Sequence, residues 1–290
     1  RTGKPVWEFH SVPQPGEIGH ETWEGDTWKD RSGVNNWGFS MALDADRGIL
    51  YTVFGGPNTN YWGGDRHGNN LFGNSVVALD AETGKLKWYF QAIHHDIFDY
   101  DLPPAPSLLD ITVGGKKVPI LAQTTKSGYM YILDRVTGKP IYGVENKPVK
   151  AGDVPGEWYA PTQPFPTAPP AYENQGVSED MLIDFTPELR KEALELIKNY
   201  KIGPIFTPPV ESKAEGPWAT LVSSLSGSNW MGGSMDPETG VVYVGSSRGV
   251  IGVSVVPSGD RSDVGYISGR AKGAQGATTV KGLPLLKPPY

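Results

Sequence analysis

A short phrase recurs along this chain: an apolar strand, an aspartate, a Thr-Gly pair and a second strand that ends in an aromatic residue. Its fullest copy is residues 76–88, with Asp80 and Thr83-Gly84 in the middle, and a second copy is residues 131–142. The aspartate can accept hydrogen bonds from backbone N–H groups of a turn, and glycine adopts the positive φ that a tight hairpin loop needs. Each copy therefore predicts a β-hairpin.

The spacing of these hairpins predicts the architecture. Thr-Gly pairs start at residues 2, 83, 137 and 239, and a variant hairpin covers residues 44–51. Hairpins of this kind cannot bury their faces alone, so they stack on one another. The 37 Gly, 26 Pro, 9 Trp and 13 Tyr residues suit a turn-rich β protein. We predict an all-β fold in which four-stranded blades are arranged radially as a β-propeller, interrupted by insertions.

One segment departs from the repeat. Within a single partial propeller domain over residues 1–290, we predict a long insertion at 143–200 that contains a helix at about 187–199. Thr186 is placed as the N-cap, and Pro187 occupies the first helical position, where its missing N–H group costs nothing. The predicted apolar face of this surface helix consists of Leu189, Ala193, Leu196 and Ile197.

Composition excludes several classes of function. The chain has no cysteine, which rules out disulfides, thiolate zinc sites, iron–sulfur clusters and attached haem within it. Its net charge of −6 argues against nucleic acid or an anionic membrane as the main partner, because both attract basic surfaces.

The segment His94–Asp101 is the densest group of titratable side chains, with two histidines and three aspartates. A catalytic base must lie near the proton that it removes, and a hard cation needs carboxylate oxygens, so a chemical site is one interpretation. The alternative is a solvated loop whose aspartates cap turns. Adjacent side chains on an extended strand point in opposite directions, so we expect His94 and His95 to orient the loop rather than to bind a metal together.

Several motifs now form an ordered set: the Asp-x-x-Thr-Gly-x-x-x-Trp repeat, Gly63–Arg66, Asn70–Phe72, His94–Asp101, Lys126–Gly128 and Leu133–Arg135. This set resembles the pyrroloquinoline quinone (PQQ) dehydrogenases, and most of all their membrane-type glucose dehydrogenase branch. The resemblance implies an eight-bladed propeller with PQQ near its axis. On that basis the chain covers roughly four blades, about half of the ring, plus one surface helix. The missing blades are then expected from the rest of a longer chain.

The resemblance also implies roles for individual residues. Asp99 matches the catalytic carboxylate that takes the substrate proton and approaches the metal, and Lys126 matches the cation that binds the reactive quinone oxygens. Trp37 matches the floor under the cofactor, and Asn229 and Trp230 match a pair at its edge. The alternatives are a turn cap for Asp99, a solvated loop lysine for Lys126 and blade packing for the tryptophans. Blade packing is the better interpretation of two further tryptophans, Trp7 and Trp88.

The implied activity is oxidation of a sugar or alcohol hydroxyl by a PQQ- and Ca²⁺-dependent dehydrogenase. Hydride would pass to PQQ and electrons to a quinone or cytochrome in the bacterial periplasm, with any membrane association through segments outside this sequence. One departure weakens the metal expectation: Gly56 stands where relatives have an asparagine ligand, leaving Asn58 or water as substitutes. Alternatives are a cofactor-free scaffold or binding propeller, a glycan-binding module, and a fragment that is inactive by itself.

Overall fold

The computed structural model describes residues 2–37, 40–222 and 227–288. Arg1, which precedes the first Thr-Gly pair, and Gly38, which follows Trp37, lie outside this part. The described residues form twenty β-strands, one α-helix and three short 3₁₀ turns (His20–Thr22, Glu179–Met181 and Gly259–Arg261). The first ten strands are β1 (Met41–Asp44), β2 (Ile49–Val53), β3 (Ser75–Asp80), β4 (Leu86–Gln91), β5 (Ser107–Val113), β6 (Lys116–Thr124), β7 (Met130–Asp134), β8 (Val144–Pro148), β9 (Thr162–Pro166) and β10 (Gly176–Val177).

The helix α1 (Pro187–Ile197) follows β10. The other ten strands are β11 (Tyr200–Lys201), β12 (Gly203–Pro204), β13 (Val210–Glu211), β14 (Ala219–Val222), β15 (Gly233–Met235), β16 (Val242–Val244), β17 (Ile251–Pro257), β18 (Tyr266–Ser268), β19 (Thr279–Val280) and β20 (Leu283–Pro284).

Two sheets have the form of propeller blades. Strands β1 to β4 make an antiparallel four-stranded meander in chain order, and β5 to β7 make a three-stranded one. A bridge between Leu133 and Pro140 lies where the second meander would gain its fourth strand. The remaining strands form four two-stranded sheets and one five-stranded mixed sheet, in which β11, β14, β17 and β13 are adjacent and β18 pairs with β17. No sheet of the described residues closes on itself, which agrees with a partial propeller.

The third strand shows how a blade is buried on both faces. Successive side chains of β3 point to opposite sides of the sheet. Val76 and Ala78 pack into a cluster that contains Tyr51 and Tyr131. Val77 and Leu79 pack into a second cluster that contains Trp23 and Phe72. Burial on both faces is what stacking between neighbouring layers requires.

The predicted hairpin turns are confirmed in atomic detail. The Asp80 carboxylate accepts hydrogen bonds from the backbone N–H of Thr83 at 3.0 Å and from its hydroxyl at 2.9 Å. Asp134 accepts the N–H of Thr137 at 2.8 Å in the same way. The glycine after each threonine has positive φ, 69° at Gly84 and 74° at Gly138. Local sequence alone therefore sets these turns.

Each turn also receives a tryptophan from an earlier repeat. The ring of Trp7 lies against Gly84, where an added Cβ would come within 2.5 Å of it, and the ring of Trp88 lies against Gly138 at 2.7 Å. The indole N–H of Trp7 donates to the carbonyl of Ala81 at 3.1 Å, and that of Trp88 to Arg135 at 3.2 Å. Both tryptophans are thus blade-packing residues, as expected, and the glycines leave room for them.

The only α-helix of the described chain confirms the helix prediction, ending two residues early at Ile197. The hydroxyl of Thr186 accepts the N–H of Leu189 at 3.2 Å and caps the helix. Ala193 and Ile197 are buried in a cluster with Val177 and Tyr200, and Leu189 and Leu196 pack against it. The insertion before the helix is more regular than predicted, because β8 and β9 pair as a hairpin across residues 144–166. The all-β class with one helix is therefore confirmed.

Candidate functional site

Three loops converge on a cavity of about 670 Å³. Trp37 comes from the segment before β1, Asp99 from the loop after β4, and Lys126 from the loop between β6 and β7. The sequence placed these three residues in one site, and the structure brings them together. The cavity wall is otherwise polar, with side chains of Ser32, Asn35, Asn36, Asn58, Asn60 and Asp101.

The ammonium of Lys126 is the centre of this group. Its Nζ lies 2.5 Å from Asp101 Oδ2 and 3.4 Å from Asp99 Oδ2. It also lies 5.1 Å from the ring centroid of Trp37, over the indole, which is a cation–π contact. The lysine is 4% exposed. A buried lysine with two carboxylates and an aromatic face is not a solvated loop lysine, so that alternative is wrong.

The loop that carries Lys126 is held from the other side by the segment after β9. The Tyr172 hydroxyl donates to the Thr125 carbonyl at 2.7 Å and accepts the Thr125 N–H at 3.0 Å. The amide of Gln175 donates to the carbonyl of Ser127 at 2.9 Å. These contacts fix the backbone on both sides of Lys126 and aim its side chain at the cavity.

Asp99 has an unusual environment for a carboxylate. Its φ is 61°, and its Oδ1 accepts a hydrogen bond from Asn60 Nδ2 at 3.2 Å. Burial and the neighbouring charge of Asp101 raise its pKa to about 7, although Lys126 acts in the opposite direction. A carboxyl that titrates near neutral pH can both hold and release a proton under ordinary conditions, which is the property of a general base.

Lys126 stays charged in this site. Burial by itself would lower its pKa, but the charges of Asp101 and Asp99 outweigh burial, and its pKa is raised. The site therefore holds a fixed cation next to a carboxyl that is easily protonated.

The sequence reasoning missed Asp101. This carboxylate is 6% exposed, pairs with Lys126 through Oδ2, and accepts the backbone N–H of Gly56 at 2.7 Å through Oδ1. The sequence showed only that Asp101 is one of three aspartates in this segment, two residues from Asp99, and nothing local singles it out. Asn60, the hydrogen-bond donor to Asp99, was also missed, because it lies in none of the motifs.

The two histidines tether the loop to different segments. His94 Nδ1 lies 2.9 Å from the carbonyl of Thr162, whereas His95 lies 2.8 Å from the carbonyl of Gly68 and 3.0 Å from Glu157 Oε1. Burial lowers the pKa of both. No group of three or more His, Asp or Glu side chains suited to a metal occurs among the described residues. The histidines orient the loop, in agreement with the expectation.

Asn229 and Trp230 are not among the described residues that line the cavity. Trp230 is 73% exposed. The segment before them does touch the Lys126 loop: Ser228 N–H donates to the Thr125 carbonyl at 3.2 Å. The structure thus places the pair beside the site without bringing their side chains into it, and their predicted cofactor contact stays a prediction.

Comparison with known proteins identifies the family. Residues 1–290 match the family model described as "PQQ: Glucose/ethanol/alcohol dehydrogenase, beta-propeller domain". The chain belongs to the PQQ-dependent dehydrogenase family. It is 34% identical over 257 residues to a probable quinate dehydrogenase (quinone) from Xanthomonas campestris pv. juglandis, covering 88% of this chain and 32% of that protein.

A second relative is the quinoprotein glucose dehydrogenase of Escherichia coli K12, 32% identical over 262 residues, which are 88% of this chain and 31% of that protein. The chain thus spans about a third of the length of these curated relatives. Glucose dehydrogenases, the predicted branch, stand beside quinate dehydrogenases among them.

Solved structures support the fold. A quinohemoprotein alcohol dehydrogenase from Pseudomonas putida superposes with a TM-score of 0.59 at 23% identity, covering 88% of this chain and 33% of that one. A europium-containing methanol dehydrogenase superposes with a TM-score of 0.56 at 22% identity, covering 91% and 39%. The predicted family and propeller class are confirmed.

The cavity residues fit PQQ. Trp37 is 41% exposed, so part of its indole is free to face a planar ring system. Lys126 lies directly beside that indole, and Gly55 lets the backbone approach closely, because a Cβ there would lie 3.1 Å from the Trp37 ring nitrogen. Amide side chains around the wall can donate to carboxylates and carbonyls of such a ligand.

The same residues do not complete a calcium site. Ca²⁺ takes six to eight oxygen ligands. The described site offers the carboxylates of Asp99 and Asp101, but the ammonium of Lys126 lies within 3.4 Å of an oxygen of each. Gly56 contributes its N–H to Asp101 rather than an oxygen, and Asn58 uses its amide nitrogen to donate to Ser32 at 3.0 Å.

Proposed function

We propose that the protein containing this chain is a PQQ-dependent dehydrogenase that oxidises a sugar or alcohol hydroxyl. The observation that carries the proposal is the convergence of Asp99, Lys126 and Trp37 on one cavity. A scaffold propeller has no need for a buried lysine between two carboxylates, since burying such charges is costly.

Asp99 acts as the general base. It takes the proton of the substrate hydroxyl as the adjacent carbon loses a hydride, so that one proton and one hydride leave the alcohol and a carbonyl remains. Bound PQQ supplies the two-electron acceptor for that hydride. The pKa of about 7 means that Asp99 is ionised, and ready to accept the proton, in much of the population at neutral pH.

Lys126 stabilises negative charge next to the reacting atoms. Its ammonium is held by Asp101, so it needs no reorganisation when charge develops. Trp37 would support the flat face of bound PQQ, and Asn229 and Trp230, beside the cavity, would contact its edge. The described residues of this chain leave the metal site incomplete, so the proposal keeps Asp99 as one calcium ligand and assigns no step to the ion.

The partners follow from the relatives. Those proteins are named for quinate, glucose, glycerol and alcohol substrates, and two of them for a quinone acceptor. We propose a small hydroxylated substrate, a quinone or cytochrome as acceptor, further propeller blades from the same polypeptide, and a bacterial periplasmic location. The described residues include no helix that is long and apolar enough to cross a membrane.

The first test is Asp99→Asn in the longest natural polypeptide that contains this sequence, loaded with PQQ and Ca²⁺. Asparagine keeps the shape and tolerates positive φ but cannot take a proton. We expect dye-linked turnover with glucose, quinate or ethanol to fall at least about 100-fold, the lower end of the range for a general base. Unchanged turnover would remove Asp99 from the mechanism.

The second test separates Lys126 from blade packing. We expect Lys126→Ala to slow reduction of bound PQQ far more than Trp88→Phe does, because Trp88 contacts a turn and not the cavity. Equal losses of activity and of thermal stability in both variants would make Lys126 a structural residue. No PQQ binding by the wild-type protein, followed by tryptophan fluorescence, would favour a cofactor-free scaffold instead.

A further inference from the structure

The Asp96 side chain is buried. Its carboxylate accepts hydrogen bonds from the loop that carries Asp99 and from Asn74. Its Oδ1 accepts the backbone N–H of Phe98 at 2.8 Å, and its Oδ2 accepts the N–H of Tyr100 at 2.9 Å. Oδ2 also accepts Asn74 Nδ2 at 2.9 Å. The two amides that Asp96 holds are those of the residues on either side of Asp99.

The backbone conformation of Asp99 requires support of this kind. A residue other than glycine rarely adopts a φ of 61°, and such a conformation persists only where its surroundings impose it. The neighbouring rings of Phe98 and Tyr100 are buried and lie 5.4 Å apart in a stacked pair. Asp96 pins both flanking amides while both flanking rings are anchored in the core, so the Asp99 side chain is left on the cavity side.

A second set of bonds supports Asp96 itself. The guanidinium of Arg66, which has no exposed surface, donates to the Asp96 carbonyl at 2.6 Å and to the Thr59 carbonyl at 3.0 Å. Thr59 precedes Asn60, whose amide reaches Asp99. Asn74 completes the frame, because its amide also donates to the carbonyl of Tyr100 at 3.1 Å.

We propose that Asp96 is a positioning residue for Asp99: its carboxylate imposes the backbone conformation that presents Asp99 to the cavity next to Lys126. The proposal rests on the function proposed above, since it assumes that Asp99 is the base. Asp96 does not contact the reacting atoms, and it acts through the two amides.

Asp96→Asn tests this without changing the size of the side chain. Both oxygens of Asp96 accept N–H groups, so either orientation of an asparagine turns an NH₂ group toward a backbone N–H and breaks one anchor. In hydrogen exchange of the full-length protein without cofactor, we expect the amides of residues 97–101 to exchange at least tenfold faster, while β2 and β3 keep their protection. Unchanged exchange over residues 97–101 would overturn the proposal.

The loaded full-length protein supplies the functional measurement. We expect single-turnover reduction of bound PQQ by substrate to slow about 100-fold in Asp96→Asn, with the dissociation constant for PQQ changed less than threefold, since displacing a reacting group by about 1 Å costs a factor of this size. A normal single-turnover rate in the folded variant would overturn the positioning role.

Two controls separate positioning from general loss of stability. Asp80→Asn makes the same chemical change in an exposed turn whose aspartate also accepts backbone N–H groups. Leu79→Ala removes buried apolar volume from a hydrophobic cluster that contains no residue of the loop. Both should keep the wild-type single-turnover rate and the wild-type exchange at residues 97–101. If Leu79→Ala slows the reaction as much as Asp96→Asn, the effect of Asp96 is structural.

Asn74→Gly keeps the proposal testable if Asp96→Asn fails to fold. Asn74 has a φ of 51°, which glycine adopts easily, and the change removes one donor to Asp96 and one to Tyr100. We expect a smaller effect in the same direction, about threefold to tenfold in both measurements, and no effect in either would overturn the proposal. If the wild-type holoprotein shows no PQQ reduction, the proposed function fails while hydrogen exchange still decides whether Asp96 sets the loop.

Discussion

Two aspartates of this chain make the same local hydrogen bonds in opposite surroundings. Asp80 and Asp96 each accept the backbone N–H two residues further on, at 3.3 Å from Glu82 and 2.8 Å from Phe98. In the exposed hairpin turn, hydrogen bonds from Thr83 lower the pKa of Asp80. In the buried loop, burial raises the pKa of Asp96 to about 6. The local motif determines the shape of the turn, and burial determines what its charge costs.

The difference extends to the residues around each aspartate. The hairpin turns are repeated and exposed, and those of Asp80 and Asp134 are each filled by a tryptophan that holds the blades together. The loop over residues 94–101 occurs once, and it draws its partners from distant segments such as Arg66 and Glu157. The first kind of region builds the scaffold, and the second concentrates buried charge where the proposed chemistry needs it.

The largest expected effect comes from a substitution in the buried loop. Asp101→Asn removes the carboxylate that is bonded to Lys126 at 2.5 Å and leaves a buried ammonium with one weaker partner. We expect the free energy of unfolding at pH 7 to fall by about 3 kcal/mol. Urea titration measures this free energy, and Asp134→Asn in an exposed turn is the control. Equal losses of stability in the two variants would contradict the distinction between buried and exposed aspartates.

The next effect depends on pH. The native state binds a proton at Asp99 with a pKa of about 7, above the ordinary 3.8, so it holds more protons than the unfolded chain between these values. Stability from this group is therefore lost as pH rises from about 4 to about 7. We expect Asp99→Asn, without PQQ or metal, to be more stable than wild type by about 2 kcal/mol at pH 8 and nearly equal to it at pH 4.

The measurement is thermal or urea unfolding of both proteins across that pH range. A difference in the free energy of unfolding that stays constant with pH would mean that the folded protein does not raise the pKa of the Asp99 carboxyl. Asp80→Asn provides the opposite case, since the pKa of Asp80 is lowered and its carboxylate stabilises the fold above pH 4.

A smaller effect tests how the turns receive tryptophan. An added Cβ at Gly138 would lie 2.7 Å from the Trp88 ring, whereas at Gly240 it would meet nothing within 4 Å. Both glycines have positive φ, 74° and 71°. We expect Gly138→Ala to lower the free energy of unfolding by about 2 kcal/mol and Gly240→Ala by about 1 kcal/mol, the part due to backbone strain alone. Equal losses in the free energy of unfolding would mean that the Trp88 ring moves aside at no cost in stability.

The smallest effect concerns the exposed turn itself. Asp80→Ala removes acceptors for two backbone N–H groups that water can also reach. We expect a loss of about 1 kcal/mol in the free energy of unfolding, typical of a single capping interaction, and no change in the rate of PQQ reduction. A loss of activity at 25 °C in this variant would show that the turns and the site are coupled.

Prediction from sequence succeeded where the interactions are short in range. The hairpin turns, the cap of α1 and the blade-packing role of Trp7 and Trp88 all follow from residues a few positions apart or from a repeated phrase. The order of the motifs also pointed to Asp99, Lys126 and Trp37. It did not distinguish Asp101, because three aspartates in one segment have the same chemistry until their partners are known.

What the sequence by itself determined is the local chemistry: Asp and Thr-Gly close a turn within five residues, and Thr186 caps the helix that follows it. Only the tertiary structure decided which carboxylate pairs with Lys126, 25 residues away, and which is enclosed with Arg66, 30 residues away. The physical reason is burial. Desolvation and the distance between charges set the pKa of a carboxyl, and both depend on segments that the chain brings together only when it folds.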